Sequence, residues 1–226
     1  MEKLDAYLSL ANLFHQYGWK LYLVGGSVRD YLLFDEFNDL DVVSDATPDD
    51  IAKFFKERAS YNFKKYGAVT LYFKSYKFDV TTLRKESNYL DSRHPKQIEF
   101  VKDLDIDVKR RDFTINALYM DDKLKIYDYV DGVNDLNNKI IRMIGDPLTR
   151  IKEDPLRILR AIRFKETLNF EIEEELEKVI KENISLLDNL NKEKIKEEIR
   201  KMNKDKNALI PLFDEFHITY LIDMIN

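Results

Sequence analysis

The chain has 226 residues, 35% charged and 44% apolar, no Cys and a formal net charge of −5. That length and composition suit a globular fold with one large domain or one domain and a smaller appendage, and exclude a disordered chain. The lack of Cys excludes a disulfide framework, a thiolate metal site and a Cys nucleophile, and the acidic balance argues against a generic polyanion binder.

No run reaches membrane-spanning length, and the N-terminus MEKLDAYLSL has neither an uninterrupted apolar core nor an Arg-rich face, so the expectation is a cytoplasmic protein with no membrane partner. Leu4, Tyr7, Leu8, Ala11 and Phe14 recur at helical spacing and stop at Gly18, a helix C-terminal signal. Lys20 to Val24 reads as a strand broken by Gly25 and Gly26, after which Ser27 is expected to cap a short helix through Leu33. Asp39 to Val43 is a second strand. Thr47, Pro48, Asp49 and Asp50 give a cap, a first-position proline and first-turn acids for a helix to Phe55. Tyr61 to Lys64, Ala68 to Lys74 and Lys77 to Thr82 read as strands, with a turn at Lys65, Tyr66 and Gly67.

Leu83 to Lys96 is polar and aperiodic and reads as a mobile surface loop. After about Pro147 the pattern is helical. The expected organisation is therefore α+β, with a head of about five strands plus helices over residues 1–146 and an all-α neck over 147–226. Basic residues cluster at Lys109 to Arg111, Arg150 to Lys165 and Lys192 to Lys206, each compatible with a solvated charged face.

Asp39 and Asp41 lie two apart in NDLDVV, so a strand places both carboxylates on one face and Leu40 on the other. Paired hard oxygen ligands suit Mg²⁺, which takes carboxylates, water and substrate phosphates, although a lone Asp-x-Asp more often marks a solvated edge or turn. Gly25, Gly26 and Ser27 sit just upstream at a strand-to-helix turn, where backbone N–H groups can cradle an anion and Arg29 can reach a phosphate oxygen. An ordinary tight turn would use the same glycines.

The segments GGSVRDYLL and NDLDVVSDATP, followed by FDVTTLRKESNYLDSRHP, RRDFTINAL and EDPLRILRAIRF, resemble the DNA polymerase beta nucleotidyltransferase superfamily. More narrowly they resemble the class II tRNA nucleotidyltransferase (CCA-adding) and bacterial poly(A) polymerase branch, in the family order and over roughly Leu21 to Phe164. The resemblance implies a polymerase-beta-like head and Mg²⁺-dependent addition of CMP and AMP, from CTP and ATP, to a tRNA 3′ end. It makes Asp79 a candidate third carboxylate, which could assist a metal or deprotonate the attacking hydroxyl; a salt-bridged structural Asp is the competing reading. It assigns Arg111 to the incoming nucleotide, while Asp112 could hold a ribose hydroxyl or orient an arginine.

Glu153, Asp154, Arg157, Arg160 and Arg163 read as one helix whose steps of three drift around the axis. Asp154 and Arg157 match the family's protein-templated pairing: a carboxylate accepts from an exocyclic amino group and a guanidinium donates to the adjacent ring acceptor, an edge that cytosine and adenine share. Arg160 and Arg163 lie further round and suit phosphate contact or scaffolding. The loop with Arg84, Tyr89, Asp91, Arg93 and His94 resembles the family's flexible element, which tilts the expectation toward CCA or A-only addition. Phe34, Asp35 and Glu36 depart from the family's usual glycine and basic residue, and Ser44 replaces a common threonine. Family members usually continue through further helical regions that grip tRNA. The chain is thus expected to be a head-and-neck portion, a natural minimal enzyme, or one completed by a homo-oligomer or a partner subunit.

Overall fold

The computed structural model describes residues 2–34, 39–89, 95–202 and 204–224. They form an α+β protein that divides into two compact units, one built from Met1–Asn88 and Pro95–Val133, the other containing Asn134–Asn226.

The first unit opens with α1 (Glu2–Gln16), β1 (Leu21–Val24), α2 (Gly26–Leu32), β2 (Leu40–Ser44) and α3 (Pro48–Phe55). It continues through β3 (Ala59–Ser60), β4 (Ala68–Phe73), β5 (Tyr76–Thr82), β6 (Arg84–Tyr89), β7 (Pro95–Phe100), α4 (Leu104–Asp107), β8 (Tyr119–Met120) and β9 (Ile126–Tyr127), and α5 (Gly132–Asn137) spans the division. Among the described residues, one seven-stranded sheet runs in the order β3-β4-β5-β2-β1-β8-β9, and β6 and β7 form a separate two-stranded sheet. All pairings in the large sheet are antiparallel except that of β2 with β5, which is parallel.

Apolar positions of α1 bury Tyr7, Leu10 and Phe14. The Tyr7 hydroxyl donates to the Leu21 and Met120 carbonyls at 3.1 and 2.9 Å, fastening the helix across β1 and β8. Gly18 ends this region with φ +83°, as the helix-stop signal requires. At α3 the full capping box forms: Thr47 accepts from the Asp50 N–H, and the Asp50 carboxylate accepts from the Thr47 N–H.

Four expectations need correction. Ser27 does not cap α2; Gly25 occupies that position at φ 68°, ψ −134°, and the Ser27 hydroxyl bonds β2 instead. Tyr61 to Lys64 is not a strand, because residues 64–66 close a 3₁₀ turn that hands over to Gly67 in the left-handed region. Residues 84–89 and 95–100 are strands despite their polar sequence, since backbone pairing does not require apolar alternation. The sheet also gains β8 and β9, each too short to leave a sequence signal. Phe34 sits at φ 59° with its ring exposed, a backbone conformation that glycine adopts without strain. Asp35 and Glu36 lie outside the described residues.

The second unit contains β10 (Ile140–Ile141), α6 (Pro147–Glu153), α7 (Leu156–Leu168), β11 (Glu171–Ile172), α8 (Glu174–Glu182), α9 (Lys192–Arg200) and α10 (Lys206–Glu215). Its core gathers Ile158, Leu159, Ile162, Ile195, Ile199 and Phe213. Among the described residues after 147, expected to be all-α, the one departure is β11, which pairs in parallel with β10. Among the described residues no helix is long and apolar enough to cross a membrane.

Gly132 is required for space. A Cβ there would lie 2.3 Å from the Thr114 carbonyl oxygen, a backbone atom that cannot swing aside, whereas a Cβ at Gly18 would meet nothing within 4 Å. Gly132→Ala should lower unfolding free energy by about 2 kcal/mol or more, against about 1 kcal/mol for Gly18→Ala from its positive φ alone. Urea titrations of the two variants check this; equal losses would contradict the steric account.

Candidate active site

The parallel register places Asp41 opposite Asp79, Leu40 opposite Phe78 and Val42 opposite Val80. Strand alternation then sorts these residues. Leu40, Val42, Phe78 and Val80 are buried on one face, and Asp41 and Asp79 share the other. Asp39, exposed and two residues before Asp41, immediately precedes the strand. The comparison of Asp79 with the first pair, which needs spatial register, thus puts it beside Asp41.

Ser27 organises the approach to this edge. Its hydroxyl donates to the Asp39 carbonyl at 2.8 Å and accepts from the Asp41 N–H at 3.1 Å, so one buried side chain ties the start of α2 to the aspartate segment. Burial, then the Asp39 and Asp79 charges, push the Asp41 carboxyl up to about 6, with Arg111 and Lys77 opposing. Asp79 accepts from the Thr70 hydroxyl at 2.8 Å and from Lys77 Nζ at 2.7 Å, so it is both a neighbour of Asp41 and a member of an ion pair.

Among the described residues, no group of three His, Asp or Glu side chains forms a ready-made cation cage. Asp39 and Asp41 nevertheless fit a divalent ion whose remaining ligands are water and substrate phosphate, as Mg²⁺ prefers. Such an ion would relieve the repulsion that raises Asp41.

The glycine turn brings up Arg29, whose guanidinium donates to Asp30 at 2.8 Å through Nε and to Asn116 Oδ1 at 2.7 Å through Nη1. Arg111 is held more firmly. Its Nε and Nη2 donate to Asp107 Oδ2 at 3.1 and 2.9 Å, Nε lies 2.9 Å from the Tyr119 hydroxyl, and the guanidinium rests 4.9 Å from the Tyr119 ring centre. Asp112 turns one oxygen to the Phe113 N–H at 2.8 Å. Asp107, Asn116 and Tyr119 were not singled out by the sequence pattern. The one available signal was the spacing of Asp107 three and four residues before Arg110 and Arg111.

In the second unit the expected single helix is broken. α6 ends at Glu153, Asp154 is its C-cap, and α7 begins at Leu156 after Pro155, so Asp154 and Arg157 do not lie on one continuous helix. Asp154 accepts from the Leu156 N–H at 3.1 Å. Arg157 is buried, with Nη1 donating to the Arg150 carbonyl at 2.6 Å and pairing with Glu153 at 3.3 Å. Arg160 lies 5.5 Å from the Phe164 ring centre. Arg163 bonds the buried Glu198 of α9 at 2.8 Å; burial alone would raise that carboxyl, but Arg163 and Arg160 hold it below its ordinary value. Arg163 therefore scaffolds α7 against α9. Arg84 donates to Glu86 at 2.7 Å and to the Tyr66 carbonyl at 2.7 Å. The Tyr89 side chain and residues Asp91, Arg93 and His94 lie outside the described residues.

The raised Asp41 carboxyl carries a sign. Its charged form is penalised in the fold, so stability present below about pH 4 falls as pH rises through about 6. In chelator, Asp41→Asn should stabilise the protein by about 1–3 kcal/mol at pH 8 and negligibly at pH 4. Equal stability of variant and parent at both pH values, measured by thermal melts, would contradict this electrostatic picture.

Residues 21–142 match the Poly A polymerase head domain family. The CCA-adding enzyme of Staphylococcus haemolyticus is 42% identical over 193 residues, covering 85% of this chain and 48% of that protein. The CCA-adding enzyme of Lactobacillus helveticus is 45% identical over 185 residues, covering 82% and 46%. Among solved structures, the Bacillus stearothermophilus CCA-adding enzyme in complex with CTP aligns at TM-score 0.85 and 32% identity, over 95% of this chain and 52% of that one. The chain spans about half the length of the curated relatives it matches. Because the family match takes in the glycine turn, all three aspartates and the Arg111 segment, the chain belongs to the Poly A polymerase head domain family of class II nucleotidyltransferases.

Proposed function

We propose that this chain is the head and neck of a tRNA nucleotidyltransferase that adds CMP and AMP, from CTP and ATP, to the tRNA 3′ end. The observation that carries the reading is the parallel register of β2 and β5, which sets Asp79 beside Asp41 with Asp39 two residues away. Relatives named CCA-adding enzymes, one of them solved with CTP, support the choice of reaction and nucleotide. The family's general use of divalent metal ions supports Mg²⁺ at Asp39 and Asp41. A tRNA substrate accords with a cytoplasmic enzyme.

In the proposed step the terminal 3′-hydroxyl oxygen forms a bond to the α-phosphorus, the bond from that phosphorus to the bridging oxygen breaks, and pyrophosphate leaves. Mg²⁺, when bound, supplies charge neutralisation at the α-phosphate and favours the deprotonated hydroxyl. Asp39 and Asp41 hold that ion, and Asp79 is the candidate acceptor of the hydroxyl proton. Gly25, Gly26 and Ser27 shape the turn under the phosphates, Arg29 and Arg111 neutralise them, and Asp112 orients the ribose or an arginine. Asp154 and Arg157 are assigned to the base edge, Arg160 to a phosphate, and Arg163 to support of α7. Such recognition excludes uracil and guanine, which present a carbonyl and a ring N–H at the same edge.

Primer extension tests the reading. The purified chain is given Mg²⁺, tRNAs with no tail, ending in C or ending in CC, and CTP, ATP, UTP or GTP. Ordered addition that stops at CCA and refuses UTP and GTP is expected, with incorporation abolished in Asp39→Ala and Asp41→Ala variants that remain folded. Addition of ATP to the CC-ended substrate alone would make this an A-adding enzyme, and long A tails a poly(A) polymerase. Retained incorporation in both aspartate variants would sink the metal assignment.

A further inference from the structure

We propose that Asp107 is a positioning residue for the nucleotide, acting through Arg111; the proposal rests on the reading that Arg111 meets the nucleotide. Asp107 ends α4, and its side chain is 0% exposed. A bare carboxylate would not remain charged in such a place, because desolvation favours the protonated form. Here five donors surround it. Oδ1 accepts from the Arg84 N–H at 3.1 Å and from Arg110 Nε at 2.8 Å. Oδ2 accepts from Arg111 Nε and Nη2 and from the Tyr119 hydroxyl at 2.9 Å. Burial works to raise this carboxyl, but Arg111 and Arg110 outweigh it and hold it at about 2, so it is an anion throughout the physiological range.

The two oxygens divide the work. Oδ1 anchors the fold by gripping the first residue of β6 and the neighbouring arginine. Oδ2 takes the Nε–Nη2 edge of Arg111, and Tyr119 supplies both a hydroxyl to that oxygen and a ring beside the guanidinium. A guanidinium is planar, so fixing one edge and one face fixes the direction of the whole group. An anchor serving stability alone could be replaced by well-packed apolar groups at little cost. A buried carboxylate that clamps an arginine of the RRDFTINAL segment has orientation to supply as well.

A double-mutant cycle separates positioning from general support, with Kd for Mg–CTP and Mg–ATP measured calorimetrically on the full chain and thermal melts run alongside. Asp107→Asn keeps the shape and removes the charge, and should weaken nucleotide binding about tenfold. In an Arg111→Ala background the same substitution should change Kd by less than about twofold, while still lowering the melting temperature. Tyr119→Phe, a milder change that keeps the ring, should weaken binding about threefold with Arg111 present and not at all without it; it decides the matter if Asp107→Asn does not fold. Equal effects in both backgrounds would overturn the proposal, as would unchanged Kd in Asp107→Asn and Tyr119→Phe. If Arg111→Ala itself left Kd unchanged, the nucleotide role of Arg111 would fall and the proposal with it. Primer extension by the parent chain would still decide the reaction separately.

Discussion

Two carboxylate-bearing strands lie side by side in parallel, and everything around them is arranged to keep them there. With Asp41 opposite Asp79 and Asp39 close by, like charges face one another across the sheet. The opposite face offsets that repulsion by burying Leu40, Val42, Phe78 and Val80. Each such side chain contributes about 1.5–3 kcal/mol, so four together exceed the unit or two of pKa strain on one aspartate, worth about 1–3 kcal/mol. A one-residue slip of β5 would turn Phe78 and Val80 outward and Asp79 into the core, so the hydrophobic face fixes the register and the register fixes the site.

The same economy recurs among the arginines. Asp107 holds Arg110 and Arg111, Asp30 and Asn116 hold Arg29, and Glu198 holds Arg163. The basic runs in the sequence are therefore not uniformly solvated faces. Several of their members are largely buried and held by acids, so a net charge of −5 coexists with local clusters of arginine.

Much of this was legible beforehand where the signal was local. Gly18, the Thr47 cap with Pro48 at the start of α3, and the strands at β1, β2, β4 and β5 follow from short-range rules, and they hold. Ser27 misled because Gly25 supplies the turn geometry at the cap, which leaves the hydroxyl for Asp39 and Asp41, a tertiary contact no local rule contains. Asp79 needed the β2–β5 register. Asp107 looks in sequence like a surface acid in the acidic stretch DLDID, its spacing to Arg110 and Arg111 is the one hint, and its burial reveals the clamp. The helix break at Asp154 was readable from Pro155, which disfavours helical geometry in the residue before it.

The proposed chemistry depends on Asp39 and Asp41 jointly holding a divalent cation with the nucleotide. Electron paramagnetic resonance of Mn²⁺ titrated into the chain with CTP tests it most directly. Tightly bound Mn²⁺ is expected in the parent protein and is expected to be lost in both Asp39→Asn and Asp41→Asn, with folding intact. Undiminished Mn²⁺ binding in the two variants would contradict it.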